Sequence, residues 1–162
     1  MSQMDYKYRV NFVKGTTDKW DEYVKIFDNS PLYEHYFKGT DTLREWVYGP
    51  LEAGNVIVAE TEAGEPVGLM VYDMMGMYGE LPYLALLGVK ENYRGKGIGR
   101  QLFARGKEEA RKAGAEVLYI SACSSEETIA FYKAMGAEIT ENPIREFADD
   151  EPYDLQMICS VV

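Results

Sequence analysis

Cysteine and histidine are scarce. The 162 residues contain two cysteines, Cys123 and Cys159, and one histidine, His35. Two thiols cannot form a disulfide scaffold or a four-ligand zinc site, and one imidazole argues against a His-rich metal centre or a His-based triad. No metal is therefore expected. No apolar run approaches the roughly 20 residues of a membrane span, so no membrane partner is expected either. The start, Met1-Ser2-Gln3-Met4-Asp5-Tyr6, lacks a basic segment followed by an apolar stretch; the reading is a cytoplasmic protein without a secretory leader. Repeats, low-complexity tracts and linkers are missing too. What is present is a globular balance, 46% hydrophobic and 27% charged, at a length suited to a single domain over 1–162.

The formal net charge of −10 conceals a basic island. Between Lys90 and Lys112 lie Lys90, Arg94, Lys96, Arg100, Arg105, Lys107, Arg111 and Lys112, opposed only by Glu91, Glu108 and Glu109. Nucleic acid favours a broad basic face, which a chain acidic elsewhere does not offer. A compact basic spot on an acidic body suits a small phosphate-bearing ligand, although a solvated helix face has the same composition.

Periodicity gives the order β-α-α-α-β-β-β-α-β-α-β-β. Tyr6, Tyr8, Val10 and Phe12 alternate as a strand. Thr17 is placed to cap a helix carrying Trp20, Tyr23, Val24 and Phe27, and Ser30-Pro31 opens a short second helix. A third runs from about Asp41 to Tyr48, ended by Gly49-Pro50. Val56–Ala59 and Val67–Met74 form a hairpin around the turn at Glu62–Glu65. Leu81–Val89 is almost wholly apolar, which predicts a central strand buried on both faces. A helix over Gly99–Ala113 stops at Gly114. Val117–Ala122 is a strand, and Ser124 with Glu127 predicts a capping box for a helix ended by Gly136. Strands at Glu138–Thr140 and Asp154–Val161 frame an acidic loop. These elements imply one mixed sheet between helices.

Chemistry concentrates in Arg94-Gly95-Lys96-Gly97-Ile98-Gly99-Arg100. Three alternating glycines remove every second Cβ and let main-chain N–H groups converge. A helix starting there adds unpaired amides and the positive end of its dipole. Arg94, Lys96 and Arg100 surround the spot with cations. The spacing fails the G-x-G-x-x-G dinucleotide fingerprint and the Walker loop. It fills R-x-x-G-x-G with Arg94, Gly97 and Gly99.

With that motif the chain resembles the GCN5-related N-acetyltransferase (GNAT) superfamily. Ala130-Phe131-Tyr132-Lys133-Ala134-Met135-Gly136-Ala137 is similar to the family's A-x-x-Y-x-x-x-G-F segment, with Ala137 in place of the aromatic and Ser125 in place of a frequent asparagine. The resemblance implies an α/β (α+β) fold with a mostly antiparallel sheet of about seven strands flanked by helices. It also implies two splayed central strands, Leu81–Val89 and Val117–Ala122, holding acetyl-CoA as co-substrate. By the same resemblance the diphosphate would rest on the amides of Arg94, Gly95, Lys96, Gly97, Ile98, Gly99 and Arg100. The pantetheine arm would pair with main chain at Leu87, Gly88 and Val89, and Ser125 and Phe131 would flank the cofactor. A homodimer is common among relatives.

The implied reaction is attack of a primary amine on the thioester, in a ternary complex, without nucleic acid or membrane as partner. An alkyl amine has a pKa near 10.4, so only about 1 in 2,500 molecules is nucleophilic at pH 7. Tyr132 matches the family tyrosine that protonates the leaving thiolate. Glu80, entering the central strand, is the candidate base; as an alternative it is an exposed acid ending a loop. Asp149-Asp150-Glu151 is either an attractor for a cationic amine or a solvated loop. Tyr33, Tyr36, Phe37, Trp46 and Tyr48 would line an acceptor pocket or pack as core, with His35 at its rim. Cys123 and Cys159 read as packing. A silent CoA-binding sensor is the competing function.

Overall fold

In the computed structural model, residues 8–28, 40–73, 82–122, 125–145, 148 and 154–162 are described. The strands are β1 (Asn11–Lys14), β2 (Val56–Glu60), β3 (Pro66–Asp73), β4 (Tyr83–Val89), β5 (Val117–Ala122), β6 (Ala137–Ile139) and β7 (Leu155–Ser160). The helices are α1 (Trp20–Val24, continued by 3-10 turns at Thr17–Lys19 and Lys25–Phe27), α2 (Thr40–Ala53), α3 (Ile98–Lys112) and α4 (Glu126–Ala134). The strands form one mixed sheet in the order β1-β2-β3-β4-β5-β7-β6. The β4–β5 pair is parallel, whereas β1–β2, β2–β3, β5–β7 and β6–β7 are antiparallel. The element order and the seven-stranded sheet agree with the sequence reading. The expected helix at Ser30-Pro31 and Tyr6 lie outside the described residues, whereas Tyr8 and Val10, expected in the first strand, precede it because β1 begins at Asn11.

The chain divides into two compact units, residues 1–71 with 86–102, and residues 72–85 with 103–162. In the first, β1 pairs with β2 across the intervening helices, and β2 and β3 form a hairpin whose turn closes through Thr61 N–H to the Glu65 carbonyl (2.9 Å), with Gly64 at φ +84°. Its core contains Tyr23, Ile26, Phe27, Val47, Val58 and Leu69, all at most 1% exposed. Of the expected stripe Trp20, Tyr23, Val24 and Phe27, Tyr23 and Phe27 are buried, Trp20 and Val24 are half-buried, and Ile26 joins the buried face. Thr17 does not cap it; the Thr16 amide instead donates to the Tyr23 hydroxyl (3.1 Å).

Helix α2 departs from expectation. It runs through Gly49-Pro50 to Ala53 instead of stopping at Tyr48. A residue before proline is pushed out of the helical region by a clash of its own Cβ and N–H with the proline ring. Gly49 has no Cβ, and nothing among the described residues lies within 4 Å of where one would be. Buried Val47 and Leu51 hold the turn that proline weakens, and Gly54, at φ +78°, ends the helix.

In the second unit, β5 and β7 pair from Val117↔Ser160 to Ala122↔Leu155, and β6 extends β7. Leu118, Ile120, Ala122, Met157 and Cys159 form one buried face. Burial pushes the Cys159 thiol above its ordinary pKa, as befits a packing residue. Cys123 lies outside the described residues.

Two sequence expectations shift by small, explicable amounts. In β4, Leu84 and Leu86 are buried while Tyr83, Ala85 and Leu87 are half-buried, so burial alternates where the apolar run suggested two dry faces. An unbroken apolar run carries no period and cannot report alternation. The cap of α4 is Ser125, not Ser124: its hydroxyl accepts from the Thr128 amide (3.2 Å), and Thr128 occupies the position expected of a glutamate.

Candidate functional site

The segment after β4 turns by a 3-10 step at Glu91–Tyr93 and then enters Arg94–Gly97 before α3 starts at Ile98. Gly95 and Gly97 sit at φ +77° and +83°, in the left-handed region that other residues reach only with strain. A Cβ built on either would find nothing within 4 Å among the described residues. Both glycines therefore serve backbone conformation and outward access, not internal packing. The Gly97 carbonyl accepts the Gln101 amide (3.1 Å), so the preceding amides of α3 belong to the first turn, which has no intrahelical acceptor. Gly99 is helical. Ile98 (1% exposed) and Leu102 (0%) fasten that first turn into the core. The first-turn amides therefore stand at the positive end of a 15-residue helix.

The cations around it are unequal. Arg94, Lys96 and Arg100 are exposed. Arg94 Nε donates to the Val89 carbonyl (3.0 Å), which folds this side chain back onto the end of β4. Lys96 Nζ lies 5.4 Å from the Tyr8 ring centre, a cation–π distance. Farther on, Arg111 pairs with Glu108 (2.8 Å) and bonds the Val161 carbonyl (2.8 Å), and Lys112 lies near Glu109 (3.8 Å). The basic island thus divides into an exposed group at the glycine loop and a group tied up at the C-terminal end of α3.

Gly88 has a separate reason. A Cβ there would come within 2.5 Å of Phe27 Cε1, so β4 carries glycine because an α1-side ring lies against it. Next to the loop, a groove of about 570 Å³ opens between Tyr8 and Arg9, the β2–β3 turn, and Tyr93. Its Tyr93 hydroxyl donates to Glu65 Oε2 (2.8 Å), and that bond raises the phenol's pKa. Sequence reading did not single out this groove, because Tyr8, Glu65 and Tyr93 are far apart in the chain.

In the second unit Tyr132 is 5% exposed on α4. Its ring packs 5.7 Å from Phe103 and 5.3 Å from Phe131, and Phe103 and Phe131 are themselves edge-on at 6.3 Å. Two rings, Phe103 and Phe131, therefore orient Tyr132. Phe131 is half-buried, and the Ser125 hydroxyl is engaged by Thr128 at both its amide and its Oγ1 (2.8 Å). Glu80, Asp149, Asp150, Glu151, Tyr33, His35, Tyr36 and Phe37 fall outside the described residues, as does the side chain of Trp46. Tyr48 stacks edge-on with Trp20 (6.0 Å), and Arg44 lies over the Tyr48 ring (4.3 Å). Among the described residues no cluster of His, Cys, Asp and Glu could hold a metal, and no helix is long and apolar enough to cross a membrane.

A model of the acetyltransferase (GNAT) family matches residues 20–137, which include the glycine loop, β5 and all of α4. The chain belongs to the GNAT family. Among solved structures, PH1933 from Pyrococcus horikoshii OT3 superposes with a TM-score of 0.74 at 16% identity, covering 94% of this chain and 98% of that one. N-acetylglutamate synthase from Neisseria gonorrhoeae, solved with coenzyme A and N-acetyl-glutamate, gives 0.71 at 17% identity, covering 95% of this chain and 35% of that one. Naa20 from Chaetomium thermophilum, solved with a bisubstrate analogue, gives 0.67 at 18%, covering 93% and 86%. The chain thus spans about a third of the synthase's length, and at these identities the likeness is one of fold. A comparison with curated proteins returned no match. The glycine turn leaves open space where a Cβ would stand on Gly95 or Gly97, beside the first-turn amides of α3, which have no intrahelical acceptor.

Proposed function

We propose that this GNAT protein transfers the acetyl group of acetyl-CoA to a primary amine by direct attack. One observation carries the reading: the positive-φ turn of Gly95 and Gly97 running into the first turn of α3. Acetyl-CoA supplies an activated acyl group on a thiolate leaving group. The chain's part is to hold, orient and exchange protons. Amides from Gly95 to Arg100 take the diphosphate, with Lys96 and Arg100 as counter-ions, and Arg94 braces the end of β4. Main chain at Leu87–Val89 is the proposed partner of the pantetheine arm; the Val89 carbonyl already accepts from Arg94, so the arm has to use the remaining main-chain groups or share that oxygen. Tyr132, held by Phe103 and Phe131, is proposed to return a proton to the leaving sulfur.

Calorimetric titration with CoA, followed by thiol release from acetyl-CoA over a panel of primary amines, tests this reading. Micromolar CoA binding with turnover of at least one amine is expected. Binding without turnover of any amine would make the protein a CoA sensor. A thermal shift with ATP or NAD exceeding that with CoA would point to an unrelated nucleotide module.

A further inference from the structure

A polar chain lies on the face of β5–β7 opposite the Leu118/Ile120/Ala122 core. Tyr119 and Ser121 project from the same side of β5, and Gln156 stands directly across from Ser121. The Ile144 amide donates to the Tyr119 oxygen (3.0 Å), and the Tyr119 hydroxyl donates to Gln156 Oε1. The Nε2 of Gln156 faces Ser121 and donates to its Oγ (2.9 Å). The Ser121 hydroxyl then donates to Asp154 Oδ2 (3.1 Å).

Each hydrogen has one direction. A carboxylate only accepts, so the Ser121 hydroxyl donates to Asp154, Gln156 Nε2 donates to Ser121, and the Tyr119 hydroxyl donates to Gln156 Oε1. Tyr119 is fully buried and Gln156 is 7% exposed, while Ser121 and Asp154 are half-buried. The chain therefore runs from the interior outward to an anion at the mouth of β7. Its location is also distinctive. Among the described residues the β4–β5 register covers Tyr83↔Tyr119 and Leu84↔Ile120, so Ser121 follows directly on the last of these pairs. Burying four polar groups costs stability unless all are satisfied; here that cost holds one carboxylate in a set orientation.

We propose that Asp154 is a specificity-determining residue that pairs with a positive charge on the acceptor, and that the acceptor class is small amines with a second cationic group. Ser121 and Gln156 are positioning residues that aim the carboxylate. This rests on the acetyltransferase reading above. The chain's acidity from Glu138 to Asp154, seven acids against Arg145 alone, favours the same class of acceptor.

The test uses the full chain, acetyl-CoA, and three amines: 1,4-diaminobutane, spermidine and n-butylamine. The wild type is expected to prefer the two polycations to butylamine by about tenfold or more in kcat/KM, the worth of a charge-assisted bond. Asp154→Asn should raise KM for the polycations about tenfold, with little change in kcat or in KM for butylamine. Gln156→Met and Ser121→Ala should move KM the same way by less, and CoA affinity should hold throughout. The proposal is overturned by KM changes equal for mono- and polyamines. It is also overturned if a wild type that binds CoA turns over none of the polycations. Absence of CoA binding in the wild type would remove the acetyltransferase reading itself, and this inference with it.

Discussion

In residues 94–100 the proposed binding groups are main-chain amides, open to solvent and kept bare by glycine; on the β5–β7 face they are side chains, mostly buried and kept in place by one another. The two regions hold polar groups by opposite means. The glycine loop spends conformational strain that only glycine escapes, at φ +77° and +83°, and needs no neighbouring side chain to shape it. The β5–β7 chain uses ordinary backbone and depends on cross-strand register. A loop of the first kind suits a ligand portion common to a whole family. A network of the second kind is easily altered residue by residue, as selection among acceptors demands.

Substitutions separate the two plans. The largest effect is expected for Gly97→Glu, which puts a side chain and a negative charge where the diphosphate is proposed to sit. CoA affinity should fall at least about a hundredfold by calorimetry while the circular dichroism spectrum stays that of the wild type. Tyr132→Phe keeps the three-ring packing and removes one hydroxyl. Its kcat should fall about a hundredfold with KM nearly unchanged, within the range for a general acid; a change confined to KM would make the hydroxyl a binding group. Gly88→Ala acts on neither plan. The clash with Phe27 should cost about 1–3 kcal/mol in denaturant unfolding, whereas a methyl at Gly95 meets nothing and costs only its backbone strain of about 1 kcal/mol. Equal losses at the two sites would contradict the distinction between a glycine that packs and a glycine that turns.

The smallest effect concerns Tyr93 at the groove beside the loop. Its hydroxyl donates to Glu65, which raises its pKa above the ordinary 10.0. The bond is present below that pH and is lost as the phenol ionises above it, so any stabilisation fades only in strong alkali. Glu65→Gln should bring the Tyr93 titration, followed by NMR of the ring, back toward the ordinary value. An unmoved titration would mean the carboxylate is not its cause.

How far the sequence could be read follows the same contrast. The glycine loop was legible because its conformation leaves a mark in residue type: Gly95 and Gly97 stand where φ is positive, and Ile98 and Leu102 show the helix they introduce. Tyr132 was legible as part of a local motif, and its surroundings were partly so, since Phe131 adjoins it while Phe103 comes from afar. The polar chain from Tyr119 to Asp154 was not, because its partners are 25 to 37 positions apart and meet only through strand register. The passage of α2 through Gly49-Pro50 is not legible from the dipeptide alone: glycine before proline removes the Cβ part of the clash, and the burial of Val47 and Leu51 that carries the helix across the weakened turn is a tertiary effect. The one-residue shift of the α4 cap arose from two adjacent serines of equal capping power, Ser124 and Ser125, which only geometry can rank.

The central claim is that main chain laid bare by glycine at the start of α3 receives the diphosphate of CoA. A crystal structure of the protein grown with CoA tests it most directly. The account predicts diphosphate oxygens within about 3 Å of the amides between Gly95 and Arg100. A CoA molecule bound elsewhere, with that turn facing only solvent, would contradict it.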